Sequence, residues 1–118
     1  PEIQMSHTSG HSNGHSIILR KQGKDTMIHM GDLMISHVHR NPLWVPAVDD
    51  YPMKSILAKK KWLRQAFENH YKFFFYHDQF FAVAEFDQTG EEFVDYVTRI
   101  REPRVPFTDK QDRKPSFL

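Results

Sequence analysis

The sequence predicts an α+β domain: a mixed β-sheet with one long helix on one face. Three observations predict it. A single stretch, 52–70, repeats apolar residues at helical spacing. Five shorter runs, 16–20, 26–30, 72–76, 80–86 and 93–100, are rich in β-branched and aromatic residues and are bounded by turn formers. Their order, ββ-α-βββ, lets one helix cover one face of a sheet and leaves the other face bare.

Residues 1–15 read as an extended lead-in followed by a tight loop. Ser16–Arg20 is a strand, Gln22-Gly23-Lys24-Asp25 a turn, and Thr26–Met30 a second strand, so the pair forms a hairpin. Gly31 ends that strand and Asp32 opens a loop. Residues 36–51 hold prolines and histidines with little periodicity. They read as a long irregular loop, a kind of segment that is often functional. In the helix, Pro52 suits the first turn. Ile56, Leu57, Trp62, Leu63, Ala66 and Phe67 form its apolar face, and Lys59-Lys60-Lys61 fall largely on the solvated side. The bare sheet face is expected to carry Ile17, Leu19, Phe81 and Val83, so a further layer is wanted there. From Glu102 the chain is charged and proline-bearing, as in a terminal arm.

Composition excludes several function classes. With 118 residues the chain holds one domain, and 39% hydrophobic and 14% aromatic residues suffice for a packed core. A net charge of +1 argues against a nucleic-acid surface. Cysteine is absent, which removes disulfides, thiolate ligands and cysteine nucleophiles and is compatible with a reducing cytoplasm. No apolar run approaches the roughly 20 residues of a membrane span. The start at Pro1, without an initiator Met or a signal peptide, reads as a chain entered midway.

The chemistry lies in imidazoles and carboxylates. His7, His11 and His15 stand four apart in His7-Thr8-Ser9-Gly10-His11-Ser12-Asn13-Gly14-His15. Among the eight histidines, position singles out few. His11 lies on a loop leading into a strand, Asp32 follows a strand and a glycine, and His77 follows the aromatic run Phe73–Tyr76. If those strands are neighbours, the three side chains emerge at one sheet edge, where a carboxylate can bridge two cations and an imidazole can cap each. His37-Val38-His39, taken as extended, would point both imidazoles to one side as a ligand pair or as pocket lining. No third ligand stands near it. Asp49-Asp50 reads as a solvated turn leading into the helix, with an acid/base pair as the alternative. There is no nucleophile elbow, P-loop or dinucleotide fingerprint.

In this order, the histidine loop, Met30-Gly31-Asp32-Leu33, the 52–70 helix and Phe75-Tyr76-His77-Asp78 resemble the C-terminal half of metallo-β-lactamase-fold hydrolases. The likeness is nearest to the branch of YtnP-type N-acyl-homoserine lactone lactonases and methyl parathion hydrolases, and covers about residues 6–100. Asp32-Leu33-Met34 to Trp44, with Asp49-Asp50-Tyr51-Pro52, adds to it. The resemblance implies one αβ half of a four-layer αββα sandwich, with residues 1–101 as that half and 102–118 as a C-terminal arm. It implies His11 as a ligand of one metal, His77 as a ligand of the second and Asp32 as the bridge. From its length and composition, the loop 33–51, including His37 and Trp44, would wall a substrate acyl chain. The implied cofactor is two divalent ions, zinc foremost, although manganese, iron and cobalt suit the same ligands. The implied reaction is opening of a lactone or related ester by a metal-bridging hydroxide, with a phosphotriester as the alternative substrate class. The signature H-x-H-x-D-H of the N-terminal half is absent. The expected partners are therefore the substrate and either that missing half or a second copy of the chain. The competing reading is an inactive fragment or swapped half-domain that holds no metal by itself, or an unrelated binding module.

Overall fold

The computed structural model of the protein describes residues 1–99. The proposed terminal arm lies outside the described residues. Six strands form one sheet in chain order: β1 (Glu2–His7), β2 (Ser16–Gln22), β3 (Asp25–His29), β4 (Lys72–Phe74), β5 (Phe81–Phe86) and β6 (Phe93–Thr98). One helix, α1 (Pro52–Glu68), lies between β3 and β4 in the chain. The predicted α+β class is the observed one: among the described residues, a mixed sheet with a single long helix on one face.

Alternation decides the faces. Ile17, Leu19, Ile28, Phe73, Ala84 and Phe86 are buried, and register partners Leu19 with Ile28, Ile28 with Phe73, and Phe73 with Ala84 put them on one face. Against that face α1 buries Ser55, Lys59, Trp62, Leu63, Ala66 and Phe67, a stripe at helical spacing. Burying a ring such as Phe73 is worth roughly 2–3 kcal/mol over leaving it in water. The helix ends where Asn69 N–H bonds Gln65 O and His70 turns to a positive φ of 55°.

Several sequence expectations change. Glu2–His7 is a strand, because its backbone pairs fully with β2 although its side chains are almost all exposed. Ile17 and Leu19 lie under the helix. The bare face instead carries Ile3, Met5, Ile18, Met27, Phe74 and Val83, as the register requires. Phe81 does not join them, since its ring packs on His37 and Phe93. Lys59 is wholly buried and not solvated: its ammonium reaches the carbonyls of Asn41 (3.0 Å) and Trp44 (2.7 Å), pinning the long loop to the helix. That loop is tighter than expected, with a 3-10 turn at His37–Arg40, and another 3-10 turn, Gly31–Leu33, stands ahead of it. Among the described residues no helix is long and apolar enough to cross a membrane.

Topology fixes where the chemistry sits. β3 and β4 run parallel, whereas every other neighbouring pair of described strands is antiparallel. The exits of β3 and β4 and the loop entering β2 therefore share one end of the sheet.

Candidate metal centre

That shared end gathers the three residues singled out by position. His11 Nε2 lies 3.3 Å from Asp32 Oδ2, and His77 Nε2 lies 3.7 Å from Asp32 Oδ1. Each oxygen of one carboxylate thus faces a different imidazole. Asp32 Oδ1 also accepts the hydroxyl hydrogen of Tyr76. Burial, with the hydrogen bond to Asp32 and its charge, pushes the Tyr76 phenol up to about 12.

The backbone is shaped for this. Gly31 has φ +57°, and a Cβ there would come within 2.5 Å of His15 Nε2. Gly10 has φ +98°, and its Cβ would sit 2.6 Å from Ser55 Oγ and 2.9 Å from the Ser55 backbone. Both glycines are thus required by conformation and by space. Ser9, two residues before His11, also has a positive φ, 58°.

The other histidines of this end have structural tasks. His15 Nε2 accepts the Asp32 N–H at 3.0 Å, so its proton sits on Nδ1 and is directed at Thr8 Oγ1, 2.7 Å away. Burial, then the neighbouring His11, lower its pKa against the pull of Asp32 and Asp49. His29 Nδ1 accepts the Gly31 N–H at 2.9 Å, and its ring stacks on Tyr76. Burial lowers its pKa too. His7 bonds the Asn13 carbonyl at 2.7 Å. Of the three loop histidines, only His11 turns a ring nitrogen to the Asp32 carboxylate.

His37-Val38-His39 is not a ligand pair. The segment is a 3-10 turn, not extended chain, which sends the two rings to different partners. His37 Nδ1 and N–H both reach Asp78 Oδ2, at 2.6 and 2.7 Å, whereas His39 Nδ1 meets Ser36 Oγ at 3.0 Å. Asp78 is buried, which alone would raise its pKa. Hydrogen bonds from the His37 and Phe81 N–H groups, the His37 ring and the Phe80 N–H outweigh this and hold it at about 2. His37 lines a cleft of about 620 Å³ with Phe80, Phe81, Phe93, Tyr96 and Arg99. Trp44 lines a different cleft of about 550 Å³ with Val38, Arg40, Pro42 and Phe67. Neither cleft is lined by His11, Asp32 or His77.

Sequence reasoning missed Asp49. It is buried, accepting from Ser55 Oγ at 2.6 Å and facing His11 Nδ1 at 2.9 Å. The available signal was its place just before the helix that carries Ser55. The expectation of a solvated turn holds for exposed Asp50 and fails for Asp49.

Among the described residues, no three or more His, Asp or Glu side chains are drawn together tightly enough to hold a metal ion as they stand. The donor chemistry nevertheless fits one. Imidazole and carboxylate are zinc ligands, and two donors each about 2.1 Å from a tetrahedral ion lie about 3.4 Å apart. The His11–Asp32 separation is 3.3 Å.

No family model matches the sequence, and no characterised protein sequence matches it. Solved structures do. A structure described as a probable metal-dependent hydrolase from Staphylococcus aureus matches with TM-score 0.84 and 40% identity, over 87% of this chain and 37% of that one. AidC, a dizinc quorum-quenching lactonase in complex with its product, matches with TM-score 0.65 and 17% identity, over 86% of this chain and 35% of that one. An N-acyl homoserine lactone hydrolase with N-hexanoyl-L-homoserine at its catalytic metal centre matches with TM-score 0.57 and 22% identity, over 66% of this chain and 31% of that one. The chain spans about a third of the length of the structures it matches. Its sheet and helix are those of part of a metallo-β-lactamase fold.

Proposed function

We propose that this chain forms part of a dinuclear-metal hydrolase that opens a lactone of the N-acyl-homoserine type or a related ester. The observation that carries the proposal is the placement of Asp32 between two imidazoles, each turning Nε2 to a different carboxylate oxygen. The 40% identity to a structure described as a probable metal-dependent hydrolase supports the reaction class, and the likeness of fold to lactonases supports the substrate class.

In this reading His11 holds one ion, His77 the other, and Asp32 both, with zinc the first choice. The bound ions supply a Lewis acid for the ester carbonyl and an attacking water whose pKa is brought to near 7. The chain's own residues do the holding. His15 fixes the Asp32 backbone through its N–H, and Tyr76 orients the carboxylate through Oδ1. His37, tied to Asp78, presents an aromatic cleft at the same sheet end, a place for an acyl chain. The bare apolar sheet face packs on a second sheet that brings the remaining ligands, from a further segment or from another copy of the chain.

The test is zinc content and turnover of N-hexanoyl-homoserine lactone by the protein, with an aryl phosphotriester as comparator. Asp32→Ala is expected to lose bound zinc and lactone hydrolysis together. Hydrolysis that survives this substitution overturns the assignment. Turnover of the phosphotriester alone moves the substrate class to that ester.

A further inference from the structure

We infer that Asp49 is a positioning residue for His11: it holds the imidazole proton on Nδ1 and so reserves Nε2 for a metal ion shared with Asp32. The inference rests on the reading of His11 as a metal ligand.

The Asp49 side chain has no exposure, and both its oxygens are engaged. Oδ2 accepts from Ser55 Oγ at 2.6 Å, and Oδ1 lies 2.9 Å from His11 Nδ1. A carboxylate only accepts, so His11 Nδ1 must donate. In the neutral ring Nε2 is then a lone pair, aimed at Asp32 Oδ2 from 3.3 Å. Two acceptors at that separation repel unless a proton or a cation lies between them. Asp49 therefore makes the gap between His11 and Asp32 a cation-seeking one.

The neighbouring imidazoles show the contrast. His15 Nε2 and His29 Nδ1 are each filled by a backbone N–H, from Asp32 and Gly31. His11 instead has a buried carboxylate behind its ring, and such a partner raises ligand basicity as well as fixing orientation. Asp49 is itself held where the histidine loop docks on the start of the helix. Asp50 N–H bonds His11 O at 3.1 Å, Tyr51 N–H bonds Gly10 O at 2.9 Å, and Gly10 leaves no room for a Cβ against Ser55.

The experiment has three arms on the protein as it exists, with Zn²⁺ alone as the probe. Competition with a chelator should show Asp49→Asn binding zinc about 10- to 100-fold more weakly than the unaltered protein. A folded Asp49→Asn protein with unchanged zinc affinity overturns the inference. Nitrogen-detected NMR of the metal-free, unaltered protein, with His11 neutral, should show the Nδ1–H tautomer. The Nε2–H tautomer overturns the inference even if the variant fails to fold. His11→Ala should lose one zinc. Full zinc content in that variant refutes His11 as a ligand, a failure distinct from that of Asp49.

Discussion

At the residue scale, the site depends on where each nitrogen and oxygen finds its hydrogen. Asp78 shows this beside His77. One buried carboxylate accepts from the His37 N–H and ring and from the Phe80 and Phe81 N–H groups. Asp78→Ala leaves these donors unpaired, and we expect a loss of about 2–3 kcal/mol in chemical denaturation, with zinc binding weakened because His77 is the adjacent residue. The gathering of His11, Asp32 and His77 at one sheet end was legible because strand patterning puts Asp32 and His77 just after strands and His11 on a loop leading into one. Asp49 was not. Its burial is set by contacts with His11 and Ser55, and the first of these is remote in the chain. Of the two readings of His37 and His39, the ligand pair fails because imidazoles two positions apart share a side only on extended backbone, whereas His37 does line a cleft.

At the element scale, the histidine loop and the helix behave as one part. Gly10→Ala adds a Cβ into Ser55 at a positive φ, so the loop must leave the helix. The expected result is a stability loss of ~1 kcal/mol or more together with weaker zinc binding, read by thermal unfolding and chelator competition. The long loop is tied down by Lys59, whose ammonium burial pushes to about 8 while Asp49 opposes. Its folded pKa lies below the unfolded value of about 10.4, so the charged form costs stability at all pH below about 8. That cost is relieved between about 8 and 10.4, where the unfolded chain binds more protons. Urea midpoints of the unaltered protein relative to Lys59→Met should therefore rise over that interval and stay flat below it. The helix and the strands after it were readable from periodicity. Burial of Lys59 was not, because a run of three lysines has the composition of a solvated face, and only the chain crossing above it supplies carbonyl acceptors.

At the scale of the whole molecule, the sheet has one face under the helix and one without a covering layer among the described residues. That second face was expected, but its membership was not. Ile17 and Leu19 alternate with Ile18, and an apolar run of three cannot announce which parity faces the helix. Phe74 stands on the bare face opposite Val83. If a second sheet covers it, Phe74→Asp should cost about 3 kcal/mol or more in denaturation of the protein. If water covers it, only the ring contact with His29 and strand propensity are lost, and the change should stay at about 1 kcal/mol.

The parallel pairing of β3 with β4 has a kinetic consequence. Asp32 follows the first of these strands and His77 the second, and the chain between His29 and Lys72 must close before the two strands can meet. Hairpin partners along the rest of the sheet find each other locally, but this pair must search across the whole helix and loop. Asp32 and His77 are therefore expected to come together late in folding. A chain that has formed its hairpins and its helix still lacks the Asp32–His77 pair until β4 docks on β3.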